Sequence, residues 1–266
     1  MRMTDRLGLV LLGHVFESRI DAVASTAWLR DLVAELDLAY ADRRLAPFGF
    51  TGGEEIQGLL EPGADPLEAV LRAAFTPGGR RVRWVAVRGE VDPDATEGRA
   101  PATERSGPAF LGARNAIDAA RTGHEGLIVL TGDPGADLLL ADLAPALVDM
   151  LDGLTERQRT VARLAVIDEL RQSEVADRLN VRRATVSVAF SRARIRTLQR
   201  LVAGMRLVCA ASWAASAGSS DGPGDPAPSA GISGSSGDPG DPAGSAGSSG
   251  GAAGSSGGAG DPAPTG

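Results

Sequence analysis

The sequence predicts an α/β fold class: an α/β sandwich, then an all-α helix-turn-helix module, then a disordered tail. Three observations predict it. Short aliphatic runs alternate with amphipathic stretches over the first 150 residues. An arginine-rich stretch follows in a 266-residue chain whose overall charge is −7. From Ala214 onward the chain is almost wholly Gly, Ser, Ala, Asp and Pro, with Ile232 as its only large aliphatic residue. Such a segment cannot bury enough apolar surface to offset the entropy of ordering.

The elements of the first part are read in order. Leu7 to Val15 is a continuous aliphatic run bounded by turn chemistry and reads as a buried strand. Asp21 to Tyr40 is helical, with Val23, Ala27, Leu32, Leu36 and Leu38 taken as its apolar face. Ala46 to Thr51 and Ile56 to Leu60 flank Gly52-Gly53 and read as a hairpin. Pro66 to Phe75 is a helix with proline in its first turn, and Val82 to Val91 alternates as a strand. A loop rich in Pro, Gly and charge runs to Gly107. Pro108 to Arg121 then reads as a helix, Leu127 to Thr131 as a strand and Ala136 to Met150 as a helix. The order β-α-ββ-α-β-α-β-α places helices on a mixed sheet. The expected domains are 1–135 (α/β), 136–153 (a connecting helix), 154–213 (helix-turn-helix) and 214–266 (tail).

Composition narrows the function classes. The single cysteine, Cys209, rules out an intrachain disulfide framework and a cysteine zinc site. Two histidines, His14 and His124, argue against a histidine-based metal site. Leu7 to Leu12 is too short for a signal peptide. Leu201 to Ala217 is interrupted by Arg206 and too short beyond it to span a bilayer, so it reads as the end of the last helix, with Trp213 docking on the main domain. The expected location is cytoplasmic, with no membrane partner and no cofactor.

The second part carries the strongest signal. Thr155 with Gln158 three residues on forms a capping box. Val161, Leu164, Ala165 and Asp168 follow at helical spacing. Ser173 opens a short helix ending near Asn180, a residue tolerated in the left-handed conformation of a tight turn. A third helix starts near Arg182 or Arg183 and is expected to run past Arg196. Between Leu154 and Arg206 twelve arginines face five carboxylates, a net of +7 on an acidic chain. Two short helices and a turn feeding a longer basic helix is the geometry that enters a DNA major groove.

These residues carry a resemblance. Leu154-Thr155-Glu156-Arg157-Gln158-Arg159, Ser173 through Leu179, Ala184-Thr185-Val186-Ser187 and Ser191-Arg192-Ala193-Arg194 resemble region 4 of the bacterial sigma-70 family. The departure is Arg182, which stands where such helices usually carry a serine cap. In the first part, Leu11 through Arg19, Gly53 through Leu60, and Ser106-Gly107-Pro108-Ala109-Phe110 with Ala113 through Ile117 resemble the SatD family. That family's pattern is in turn similar to the nucleotidyl-cyclase-like, ferredoxin-like fold. The resemblance implies two carboxylates holding two divalent ions against a triphosphate. His14 stands at the first of these positions and Glu54 at the second, with Glu17 and Glu55 nearby. Imidazole is a poor magnesium ligand, so the expectation is a domain without turnover, with no catalytic and no metal residues.

The resulting expectation is a DNA-binding regulatory protein with a degenerate sensor or dimerisation domain. Arg182, Arg183, Thr185 and Ser187 are the candidates for base edges, and Arg192, Arg194 and Arg196 for phosphate. The implied partners are double-stranded DNA, RNA polymerase, a nucleotide for the first domain and a second copy of the chain. The alternatives are a nucleotidyl-cyclase-like enzyme acting at His14, Glu54 and Glu55, and a pure RNA polymerase-interacting module. A sigma factor proper is disfavoured, because residues 1–130 read as strands and helices with net acid.

The composition of the tail yields a first prediction. Deleting residues 219–266 changes the melting temperature by less than about 2 °C, an amount well under 1 kcal/mol for a chain of this size, and leaves DNA affinity unchanged. Differential scanning fluorimetry and a DNA titration check this.

Overall fold

The computed structural model of the protein describes residues 6–16, 22–51, 54–76, 78–93 and 100–218. The elements are β1 (Arg6–Val15), α1 (Ala22–Ala39), β2 (Arg44–Thr51), β3 (Glu55–Leu60), α2 (Leu67–Phe75), β4 (Val82–Val91), α3 (Pro108–Gly123), β5 (Leu127–Leu130) and α4 (Pro134–Asp152). These match the expected order, and a 3-10 turn, Ala102–Glu104, lies inside the predicted loop. Then come α5 (Glu156–Ala162), a π-helical turn (Arg163–Ile167), α6 (Gln172–Arg178), α7 (Arg183–Arg192) and α8 (Ile195–Gly218). None of these helices is long and apolar enough to cross a membrane.

The strands form one mixed sheet in the order β2-β3-β1-β4-β5. β1 is central and antiparallel to both β3 and β4, β2 is antiparallel to β3, and only β4 and β5 run parallel. The continuous aliphatic run of β1 follows from its position, since both of its faces are covered. Val10 and Leu12 face α3, packing with Val85, Phe110, Ala113 and Ile117. Leu9 and Leu11 face the opposite side, where α1, α2, α4 and the later helices pack. The parity of β2 changes along its length. Ala46 joins the α3 side and Phe48 the other, because the β2–β3 register shifts between Ala46 and Gly49. Such a bulge re-aims the side chains beyond it.

Several sequence expectations are corrected. The buried stripe of α1 is Ser25, Leu29, Leu32 and Leu36, continued by Tyr40, whereas Leu38 is 80% exposed and Ala27 is exposed. Leu38 lies more than half a turn from the Leu29–Leu32–Leu36 line at 3.6 residues per turn. The third helix of the helix-turn-helix does not run past Arg196. It ends at Arg192, and Arg194 takes a left-handed conformation (φ 50°) before α8 begins. The predicted stretch from Thr155 to Asp168 is two pieces, α5 and the π-helical turn. The last helix continues to Gly218, so residues 214–218, assigned to the tail, are helical. The Gly52-Gly53 turn, Glu17 and residues 219–266 lie outside the described residues.

The core on the α1/α2 side does not stop at the sheet. It runs from Leu9, Leu11 and Trp84 through Leu140, Leu147 and Leu151 of α4 into Val161, Leu164, Val175, Val186, Ile195, Leu198 and Val202. Ion pairs close the seam around it. Glu35 of α1 accepts from Arg72 of α2 at 2.9 Å and from Arg163 of the π-turn at 2.6 Å. Arg206 of α8 donates to Asp65 at 2.7 Å and to Glu68 at 3.3 Å. Arg159 donates to the carbonyl of Ala74, and Arg81 pairs with Asp152. Trp213 packs against the same core, as its position in the sequence suggested.

One close approach on this side sets a tolerance limit. A Cβ on Gly58 of β3 would sit 2.2 Å from the ring of buried Phe48. Phe48 is stacked on Tyr40, with ring centroids 5.7 Å apart. Gly58→Ala is expected to destabilise the protein by about 1–3 kcal/mol, the usual cost of overpacking, read as a fall in melting temperature with secondary structure retained.

Candidate nucleic-acid interface

The helical segment starts at a capped end. Thr155 Oγ1 accepts from the Gln158 N–H at 3.4 Å, and Gln158 Oε1 accepts from the Thr155 N–H at 2.8 Å, which is the predicted capping box. The next helix, α6, begins one residue before Ser173. Glu174 accepts from the Arg171 N–H at 2.6 Å, so a glutamate covers the orphan donor there. Asn180 has φ 50°, and the Val181 N–H returns to the carbonyl of Ala176 at 3.0 Å. This tight turn sets α7 across α6, with Val175, Ala176 and Val186 buried between them.

The twelve arginines differ in placement, and four of them, Arg157, Arg171, Arg178 and Arg200, are exposed on α5, at the start of α6, on α6 and on α8. Arg159, Arg163 and Arg206 are committed to the α/β part, as described above. Arg182, Arg183, Arg192, Arg194 and Arg196 are all exposed, and no ion pair holds any of them among the described residues. Thr185 and Ser187 are exposed beside them, so all seven candidates lie at the surface. They are not equivalent. Arg182 is the N-cap residue of α7 and makes no side-chain cap. The uncapped N–H groups of the first turn, with Arg182 and Arg183 beside them, favour an anion. Ser187, Arg194 and Arg196 meet at the other end, with Gln172, Ser191 and Thr197, around a polar cleft of about 400 Å³. Arg196 belongs to α8, so it reaches that cleft from a different helix than the sequence implied.

Sequence reasoning missed the centre of the exposed face. At about 100° per residue, the residues opposite buried Val186 and Ala193 are Ala184, Val188 and Ser191. Val188 is 50% exposed. An aliphatic side chain held out on a polar helix face suits a thymine methyl in the major groove. Its solvent-facing position follows from the phase of Val186, which the sequence alone did not set.

A second polar group lies at one end of the sheet on the α3 face. The register pairs His14 with Glu55 on β3 and with Arg83 on β4, so the three form a row across three strands. Glu54 precedes Glu55, and its carbonyl accepts from the Val15 N–H at 2.8 Å. Gln57 is buried. Its Nε2 donates to Glu55 at 2.5 Å, while its Oε1 has no partner. Arg83 is buried over the ring of Phe16, 4.4 Å from its centroid, and donates through Nε to the carbonyl of Glu125 at 2.8 Å. Burial and the nearby guanidinium of Arg121 lower the pKa of His14, assisted by Arg83, against the raising effect of Glu54 and Glu55. This set does not fit a pair of divalent ions. The imidazole faces one carboxylate in register and is flanked by guanidiniums, and among the described residues no group of three or more His, Cys, Asp or Glu side chains could hold a metal.

With this geometry in place, residues 145–196 match the family model of Sigma-70, region 4. The helical segment is a sigma-70 region 4-type, DNA-binding helix-turn-helix. The match runs from the last turns of α4 through α5, α6 and α7 to the first two residues of α8, about a fifth of the chain. No curated protein matches the chain.

Two outcomes follow. Arg196→Ala is expected to reduce the slope of log affinity for duplex DNA against log salt by about one, the loss of one phosphate contact. Arg206→Ala should leave that slope unchanged and lower the melting temperature instead, because its partners are Asp65 and Glu68. For His14, the folded pKa lies below the ordinary value of about 6.5, so the unfolded chain takes up the proton first. Stability from this residue is complete above that pH and falls as pH drops through 6.5 toward the folded value. His14→Gln should flatten this part of a stability-against-pH curve measured by urea titration.

Proposed function

We propose that the protein is a DNA-binding transcription regulator whose α/β part serves as a regulatory domain without catalytic turnover. One observation carries the reading: five exposed arginines, with no ion pair among the described residues, lie on α7, beside its two ends and at the start of α8, within the segment that matches region 4. In this reading Arg183, Thr185, Ser187 and Val188 read base edges. Arg182 and the α7 N-terminus take one phosphate, and Arg192, Arg194 and Arg196 take the next ones along the backbone. RNA polymerase is the second partner that region 4 brings into consideration, bound through residues outside the groove-facing side.

The SatD-like reading of the α/β part rests on its β-α-β-β-α-β order and on β1 lying between β3 and β4, both in keeping with a ferredoxin-like core. An imidazole, His14, stands at the first of the two expected carboxylate positions with Arg83 beside it in register, and the second, Glu54, carries its carboxylate on a longer stem. A triphosphate with two divalent ions needs oxygen ligands to offset the metal charge, so the domain is read as a binding or dimerisation unit.

The test uses the full chain. Genomic fragments are selected at two salt concentrations, and the same preparation is incubated with magnesium and ATP or GTP. The expected result is enrichment of a shared sequence that persists at the higher salt, with no cyclic or dinucleotide product. Retention of all fragments alike, with affinity collapsing at the higher salt, would reduce the reading to non-specific phosphate binding. Product formation abolished by Glu54→Ala would replace it by the enzyme reading.

A further inference from the structure

The two edges of the sheet are built differently. On β2, Pro47 and the irregular register between Ala46 and Gly49 interrupt the strand, and both devices discourage pairing with another chain. β5 reads Leu127-Ile128-Val129-Leu130, with neither proline nor charge. The Trp84 N–H donates to the carbonyl of Gly126, and Trp84 and Ala86 are in register with Leu127 and Val129. Hydrogen bonding alternates along a parallel strand, so Gly126, Ile128 and Leu130 face β4. The N–H and C=O groups of Leu127 and Val129 therefore face outward.

That edge opens on a groove of about 320 Å³ whose other wall is α4, through Ala141, Pro145 and Val148. Pro145 lies inside the helix and has no N–H, so the carbonyl of Ala141 loses its helical donor. Free backbone donors and acceptors in an apolar trough are what strand addition requires. The groove also carries Glu125, Asp137 and Asp149, and no arginine lines it.

We propose that this groove receives an extended, basic segment of another protein as a sixth strand paired with β5. Charge selects the occupant. A second copy docking edge to edge would bring the same three carboxylates against themselves. The chain's own residues 219–266 carry five aspartates and no arginine. A segment with arginine or lysine at alternate positions and aliphatic residues between them satisfies the backbone edge, the apolar wall and the acidic rim together.

The test is amide hydrogen exchange at Leu127 and Val129 of the full-length protein, followed by NMR. The probes are a heptapeptide of alternating valine and arginine, its valine–glutamate counterpart, and the valine–arginine peptide N-methylated at alternate residues. The expected result is that the first peptide slows exchange at both amides by about tenfold or more and the other two do not. Glu125→Lys with Asp149→Lys should then weaken that peptide by about tenfold. No slowing, equal slowing by the valine–glutamate peptide, or slowing that survives N-methylation overturns the proposal. Protection of Leu127 and Val129 that rises with protein concentration, without peptide, assigns the edge to a second copy and overturns it as well.

Discussion

One apolar core runs from a face of the sheet into the helix-turn-helix, and the placement of every surface group follows from it. The helices from α5 to α7 are short, between seven and ten residues, and helices of that length are marginal alone. Their stability comes from burying Val161, Leu164, Val175 and Val186 in a core shared with α4, α8 and the sheet. The same packing brings Arg163 to Glu35 and Arg206 to Asp65 and Glu68. These pairs are partly buried and form a network with Arg72, so they hold the seam more firmly than isolated surface pairs would.

This shared core decides what the arginines can do. A segment with a net charge of +7 looks uniformly suited to phosphate, yet three of its arginines neutralise carboxylates or cap a carbonyl of the α/β part. The rest, on or beside α5, α6, α7 and α8, are exposed and hold no ion pair among the described residues. Within that set, the exposed face of α7 presents Thr185, Ser187 and Val188 as well. It is also carried on a rigid frame, so a change in the α/β part that moved α1 or α2 would be felt at Arg163 and Arg206 directly. This is a physical route from α1 and α2 to the helix-turn-helix.

Much of this was legible in the sequence where the signal is local. The aliphatic run of β1 announces a buried strand, the Thr155–Gln158 box announces a helix start, and Asn180 announces a left-handed turn. The rest depends on distant partners or on unusual local conformations. Leu38 looks as suitable for the core as Leu29 until the neighbours of α1 are known. The break after Arg192 hides because an arginine, rather than glycine or asparagine, takes the left-handed position at 194. The commitment of Arg163 to Glu35 spans 128 residues of sequence. The pairing of His14 with Glu55, rather than with Glu54, is a matter of strand register, which a one-residue shift would reverse.

We propose that the exposed face of α7 enters the major groove while the α3 side of the sheet stays away from DNA. Photocrosslinking from a benzoylphenylalanine placed at position 188, and separately at position 111, tests it most directly. Leu111 is 62% exposed on α3, behind the sheet. Crosslinks to bases of duplex DNA from position 188 and none from position 111 are the predicted result. Crosslinks from position 111, or none from position 188 under conditions where the protein is bound, would contradict the account.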